Sequence, residues 1–270
     1  MKDSGGRAGA IRIASAGNLA FAAAMIFVGI LGLMHRDFAP LWEPVPEGIP
    51  ARTVLIYLCA LVPLAGGLGL LAARTAPAAA RLLLAWFAFW LLALRLPRVL
   101  FAFAVDSWWG ACQTAAMLGA AWVLVTEFAG ERDPLRVAAG EKGLRIARSL
   151  YGFALIPFGI AHFLYLEATA PLVPGWLPAP VFWAYFTGAT FIAAGVAILA
   201  GPWARLAAAL STLQMGLFTV LIWIPIVAKG ASESQWGEFV VSLALIAAGW
   251  VVTDSYRGSP WLRRVREVVA

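Results

Sequence analysis

The sequence predicts an all-α, polytopic membrane helical bundle: eight transmembrane helices arranged as two tandem four-helix repeats. Three observations carry this. Of 270 residues, 62% are hydrophobic and only 13% charged, with a mean hydropathy of +0.84, whereas about a quarter of an average soluble sequence is charged. The apolar residues fall into eight segments, each near the roughly 20 residues that a helix needs to cross the hydrocarbon core. Landmarks of the first four segments then return, in order, in the last four.

The first segment, 12–34, follows Lys2, Arg7 and Arg12. A basic start before an apolar run suggests a signal peptide, but this run exceeds the usual core of about 7–15 residues. A similar segment also recurs in mid-chain, so it is read as the first membrane helix. Segments 53–73, 80–103 and 110–128 complete a first unit, 1–128. The charged stretch 129–143 (AGERDPLRVAAGEKG) reads as a linker. Segments 145–166, 180–200, 203–228 and 236–254 make a second unit, 144–254, and a basic tail, 255–270, follows. Each apolar segment has to be a helix, because backbone polar groups in lipid must be satisfied within the segment. Pro97 and Pro225 fall inside the third and seventh helices and predict kinks there. Gly66, Gly67, Gly69, Gly188 and Gly195 allow helices to approach closely.

The net charge is +6 and the pI about 9.8. The basic residues sit at the ends of apolar segments, so membrane orientation explains them better than nucleic acid does. Placing the N-terminus in the cytoplasm leaves five of the 20 Lys and Arg outside (Arg36, Arg52, Arg95, Arg98 and Lys229) and the other 15 inside. The even helix number returns the C-terminus to the cytoplasm. Trp42, Trp108, Trp109, Trp176 and Trp236 then fall near the outer boundary, where an aromatic belt is expected. Cys59 and Cys112 lie in apolar stretches without a C-x-x-C and read as buried small hydrophobes. Two histidines are too few for a metal site.

The internal repeat is the most informative feature. Ile11-Arg12-Ile13-Ala14 returns as Leu144-Arg145-Ile146-Ala147, and His35 as His162. Each histidine precedes a loop containing Ala-Pro-Leu, at Ala39–Leu41 and Ala170–Leu172. Pro50, Tyr57, Gly67 and Pro97 match Pro178, Tyr185, Gly195 and Pro225 at one offset. Trp109-Gly110 matches Trp236-Gly237, and Val125-Thr126-Glu127 matches Val252-Thr253-Asp254. Four helices per unit is an even number, so both units enter the membrane with the same orientation. A pseudo-twofold axis along the membrane normal follows.

Intramembrane ionisable groups are the candidate site residues. His162 lies in GIAHFLYLE, with Glu167 loosely on its face, as a proton-handling or ligand-binding pair; a structural histidine with a solvated glutamate is the other reading. His35, with Asp37 and Glu43 nearby, stands the same way. Arg95 and Arg98 are three apart in LLALRLPRVLFAF and can share a face. They either hold an anionic headgroup, a quinone oxygen or an anionic substrate, or pair with Asp106, Glu43 or Glu167. Glu127 and Asp254 close helices four and eight, with Arg145, Arg81 or Arg205 as expected partners. Gln113 and Gln214 are amides suited to interhelical hydrogen bonds.

The run GIAHFLYLEATAPLVPGWLPAPVFWAYFTGATFIAAGVAIL, 159 onward, resembles the DoxX-like superfamily of four-helix membrane proteins. Its G-x-x-H-F, proline-rich loop and T-G step before a glycine-rich helix carry the resemblance. RLPRVLFAFAVDSWWG looks like that group's H-L-P-R stretch. The histidine of H-L-P-R is Arg95 here and Trp223 in the second half. A glutamate usual after the S-G step is replaced by Phe191 and Pro63. The resemblance implies two DoxX-like units in a bacterial inner membrane, and a quinone-interacting or accessory subunit of a membrane redox system. A quinone would be its cofactor, and a membrane redox subunit its partner within the lipid bilayer. A small-solute permease and a non-catalytic assembly factor are the alternative readings.

Overall fold

An unbroken apolar run leaves backbone amides and carbonyls no partners but each other. In the computed structural model, which describes residues 15–102, 105–129 and 139–262, the chain forms eight helices long and apolar enough to cross a membrane. They are α1 (Ala16–His35), α2 (Arg52–Leu70), α3 (Ala76–Phe101), α4 (Val105–Phe128), α5 (Glu141–Leu164), α6 (Pro180–Ala200), α7 (Ala204–Ala228) and α8 (Glu233–Ser255). The described residues contain no strand. This is a multi-pass membrane protein.

Local chemistry fixes several ends. The Ser15 hydroxyl accepts the Asn18 amide at 3.1 Å and starts α1. Ser232 and Gln235 form a reciprocal capping box on α8, satisfying two otherwise orphaned groups. α5 begins at Glu141, inside the expected linker. The rest of that linker (130–138), Lys2, Arg7 and Arg12, and the tail arginines from 263 onward lie outside the described residues.

Each helix packs on the next, and α8 closes the ring on α1; α4 and α8 meet across the middle. The pairing maps onto itself when every helix number advances by four. Gly17 on α1 and Asp254 on α8 touch, so α1 begins and α8 ends at one face, called here the terminal face. The opposite, distal face carries the α1–α2, α5–α6 and α7–α8 connections.

Two local features recur at positions 128 apart. Ala51 and Ala179, which start α2 and α6, both take left-handed backbone (φ 54° and 57°). A π turn interrupts α3 at Leu91–Arg95 and α7 at Thr219–Trp223. Each stands two residues before the expected kink site, Pro97 or Pro225. A proline ring would strike the carbonyl four residues back and cannot donate to it. The wider π turn absorbs that mismatch, and each helix runs on past its proline.

The two halves differ at their distal loops. In the first, the 3₁₀ turn Pro40–Trp42 folds into the bundle against α8, burying Phe38, Ala39, Leu41 and Trp42. Trp42, expected in an interfacial belt, is therefore 1% exposed. A large ring packed on apolar neighbours gains more from full burial than from an interface. Its counterpart turn, Ala170–Leu172, has no buried residue. It has no tryptophan, since Val173 follows Leu172 where Trp42 follows Leu41.

Candidate functional site

Arg95 sits at the end of the α3 π turn and is 3% exposed. Its Nη2 donates to the Glu43 carbonyl at 2.7 Å and the Leu41 carbonyl at 3.4 Å, and Nη1 to the Pro44 carbonyl at 3.3 Å. The sequence offered Asp106, Glu43 and Glu167 as carboxylate partners. Carbonyl dipoles do the work instead, without the cost of desolvating a second full charge. Gly110 on α4 makes room, because a methyl there would lie 3.0 Å from Nη1. Arg98 does not share this face: it is exposed, and Val99 takes the buried position one turn on. The Asp106 side chain lies outside the described residues.

Beneath the inserted turn, Trp42 stacks on Phe87 (centroids 5.6 Å apart) and meets the edges of Trp90 (5.2 Å) and Trp86 (6.3 Å). The indole N–H groups of all three tryptophans and Arg95 Nε are buried with no hydrogen-bond acceptor. The T-shaped contacts partly compensate, since ring faces are electron-rich. Arg95 is thus a latch that holds a plug.

His35 is exposed at the end of α1. Asp37, its expected companion, bonds Arg52 at 3.0 Å. Burial of the neighbouring Glu43 carboxyl raises its pKa above the ordinary value, helped by Asp37 and Glu233 and opposed by Arg52 and Arg95. A raised folded-state pKa means the folded protein binds the proton more tightly, so Glu43 costs stability as pH rises through the carboxylate range. Glu43→Gln is therefore expected to raise the unfolding temperature at pH 7 by a small increment that vanishes at pH 4. Unfolding scans at the two pH values check this.

The second candidate lies in the other half. His162 is half-buried on α5, and its Nδ1 lies 2.8 Å from the Phe158 carbonyl. A carbonyl can only accept, so Nδ1 carries the proton and, in the neutral ring, Nε2 is an acceptor with no hydrogen-bond partner among the described residues. The ring packs against Phe191 on α6 (5.7 Å) and Phe218 on α7 (6.2 Å). Next to those phenylalanines a polar bridge joins α6 to α7. The Thr190 hydroxyl donates to Gln214 Oε1 at 2.6 Å, and Gln214 Nε2 to the Thr187 carbonyl at 3.1 Å. Gln214 thus makes the interhelical bonds its position suggested.

Glu167 does not join His162. The α5 helix ends at Leu164, and Glu167 stands exposed on the separate turn Leu166–Thr169. Nor do Arg95 and His162 share a contact: the first engages 41–44 and α4, the second α5, α6 and α7. The expected constellation is divided between the two halves.

At the terminal face, the expected acid–arginine pairs are also rearranged. Asp254 accepts the Gly17 amide at 3.0 Å and pairs with Arg257 at 2.9 Å. Glu127 accepts from Asn18 Nδ2 at 3.1 Å. They border a cleft of about 520 Å³ with Ser15, Glu141 and Ser255. Arg148 donates to the Ser255 carbonyl and hydroxyl and lies 3.8 Å over the Tyr256 ring. Arg205 donates to the Ser259 carbonyl at 2.6 Å and covers Trp261. Arg148 thus closes the end of α8, where helix carbonyls lack partners, and Arg205 holds the turn that follows it. Sequence reasoning passed over Asn18 and Ser15. A polar pair opening an apolar helix was the available signal.

No family model, curated protein or solved structure matches the chain.

Proposed function

We propose that this protein is an accessory subunit of a membrane redox system, built from two DoxX-like repeats, which binds a quinone headgroup at His162. The observation that carries the reading is the free Nε2. With Nδ1 bonded to the Phe158 carbonyl, Nε2 is an acceptor on a ring packed beside two phenylalanines that meet edge to face at 6.1 Å. A quinol hydroxyl is a donor on a flat ring, and donates to that nitrogen while its ring packs against the outside of this aromatic cluster. The Lys and Arg distribution supports both termini in the cytoplasm, and the DoxX-like resemblance supports the inner membrane of a bacterium as the setting.

The test is to purify the protein in mild detergent and identify bound small molecules by mass spectrometry. Near-stoichiometric quinone is expected. His162→Leu should lower it at least about tenfold, the effect of losing one good hydrogen bond in a site that also loses a polar anchor. Bulk lipid alone in the unsubstituted protein would overturn the reading.

The paired π turns favour a second reading, a small-solute permease, because helices broken at corresponding positions of two halves are common in transporters. Substrate-dependent uptake into proteoliposomes separates the two.

A further inference from the structure

We propose that the groove between α5 and α6 at the terminal face is a site for one anionic phospholipid, with the phosphate on Lys142 and Arg145 and an acyl chain along α5. The groove is shallow and open to its surroundings, has a volume of about 640 Å³, and is lined by Lys142, Arg145, Ile146, Ser149, Leu150 and Phe153 of α5 and by Leu199 of α6.

Residues 142, 145 and 149 follow the i, i+3, i+7 spacing of one helical face, and 146, 150 and 153 lie beside them. Polarity therefore changes in order along the groove: two cations, then a hydroxyl, then hydrocarbon. From Lys142 to Phe153 the helix rises about 16 Å, the length of a headgroup and the upper part of an acyl chain. Ile146, Phe153 and Leu199 are 40%, 45% and 44% exposed. This apolar floor suits a chain and gives a free anion nothing.

The charge is available. Lys142 and Arg145 are exposed and make no ion pair with any described residue. Arg148, one turn further along α5, is already committed to Ser255 and Tyr256. Both cations lie in the first turns of α5, whose N-cap, Gly140, offers no side-chain acceptor. The positive helix end there is offset by Glu141 in the first turn, so the attraction for a phosphate rests on the two side chains. A zwitterionic lipid fits the same trough but leaves the pair unneutralised. Charge thus selects phosphatidylglycerol or another net-anionic lipid.

The test is native mass spectrometry of the detergent-purified protein, with phosphatidylglycerol or phosphatidylcholine added at equal concentration. Phosphatidylglycerol should be retained about 30-fold more strongly, the ordinary worth of two basic side chains against an anionic headgroup. Lys142→Gln with Arg145→Gln should reduce its retention to the phosphatidylcholine level. Ser149→Trp, which fills the trough and keeps both cations, should do the same. Arg74→Gln, at an exposed arginine outside the groove, should change nothing. Equal retention of the two lipids, survival of phosphatidylglycerol binding in either groove variant, or equal protection by inorganic phosphate would overturn the proposal.

Discussion

Replacing Arg95 with leucine is expected to destabilise the protein by about 3–5 kcal/mol. The guanidinium donates to the carbonyls of Leu41, which is buried, and of Glu43 and Pro44, which are part-buried; a buried carbonyl left without a donor costs about 1–3 kcal/mol and a part-buried one less. The loss should be read as a fall in denaturant midpoint in detergent. It should come with a red-shifted tryptophan emission, because Trp42 leaves a site in which it is 1% exposed. Arg95→Lys should recover less than half, since one ammonium cannot reproduce a planar fork that spans three acceptors. An Arg95→Leu protein as stable as the parent would mean that water replaces the guanidinium and that no latch exists.

The second large effect lies between α5 and α6. A methyl at Gly195 would stand 2.6 Å from the Gly152 carbonyl oxygen and 2.8 Å from Ile156 Cγ1. Backbone oxygen cannot turn aside as a side chain can, so the helices must separate. Gly195→Ala should cost about 1–3 kcal/mol despite the better helix propensity of alanine. Gly67→Ala meets the Ala22 carbonyl at 2.6 Å between α1 and α2 and should behave alike. Gly216 on α7 has nothing within 4 Å of its added methyl. There alanine should stabilise, by up to about 1 kcal/mol. If all three substitutions shifted the unfolding temperature in the same direction, close packing would not be what these glycines serve.

The helices were legible because lipid removes every alternative: a long apolar run without water must satisfy its own backbone. Even the prolines at 97 and 225 spoke through this rule. They marked where the ladder would be disturbed, though not that a π turn would absorb the disturbance. The candidate site was legible only as a set of residue types. Arg95 stood out as a charge in an apolar run, but its partners are carbonyls, and main-chain acceptors leave no trace in a sequence. Glu167 seemed to follow His162 by helical counting, which fails because α5 stops at Leu164. His35 and His162 are matched by sequence, yet one is exposed and the other half-buried. His162 is covered by Phe191 and Phe218, and the first of these rings has no aromatic counterpart in the first half, where Pro63 stands.

The π turns bear on where this bundle can move. A π turn carries one residue more than the α turn it replaces, so relaxing it to α would rotate the remainder of the helix by about 100° and shift it by about 1.5 Å. In α3 that ratchet is locked, because Arg95, its last residue, is clamped to three carbonyls of a neighbouring segment. In α7 the same place is held by Trp223, which has no such clamp. One helix of the pair is clamped at its π turn by a guanidinium, and its twin carries an indole at that place instead.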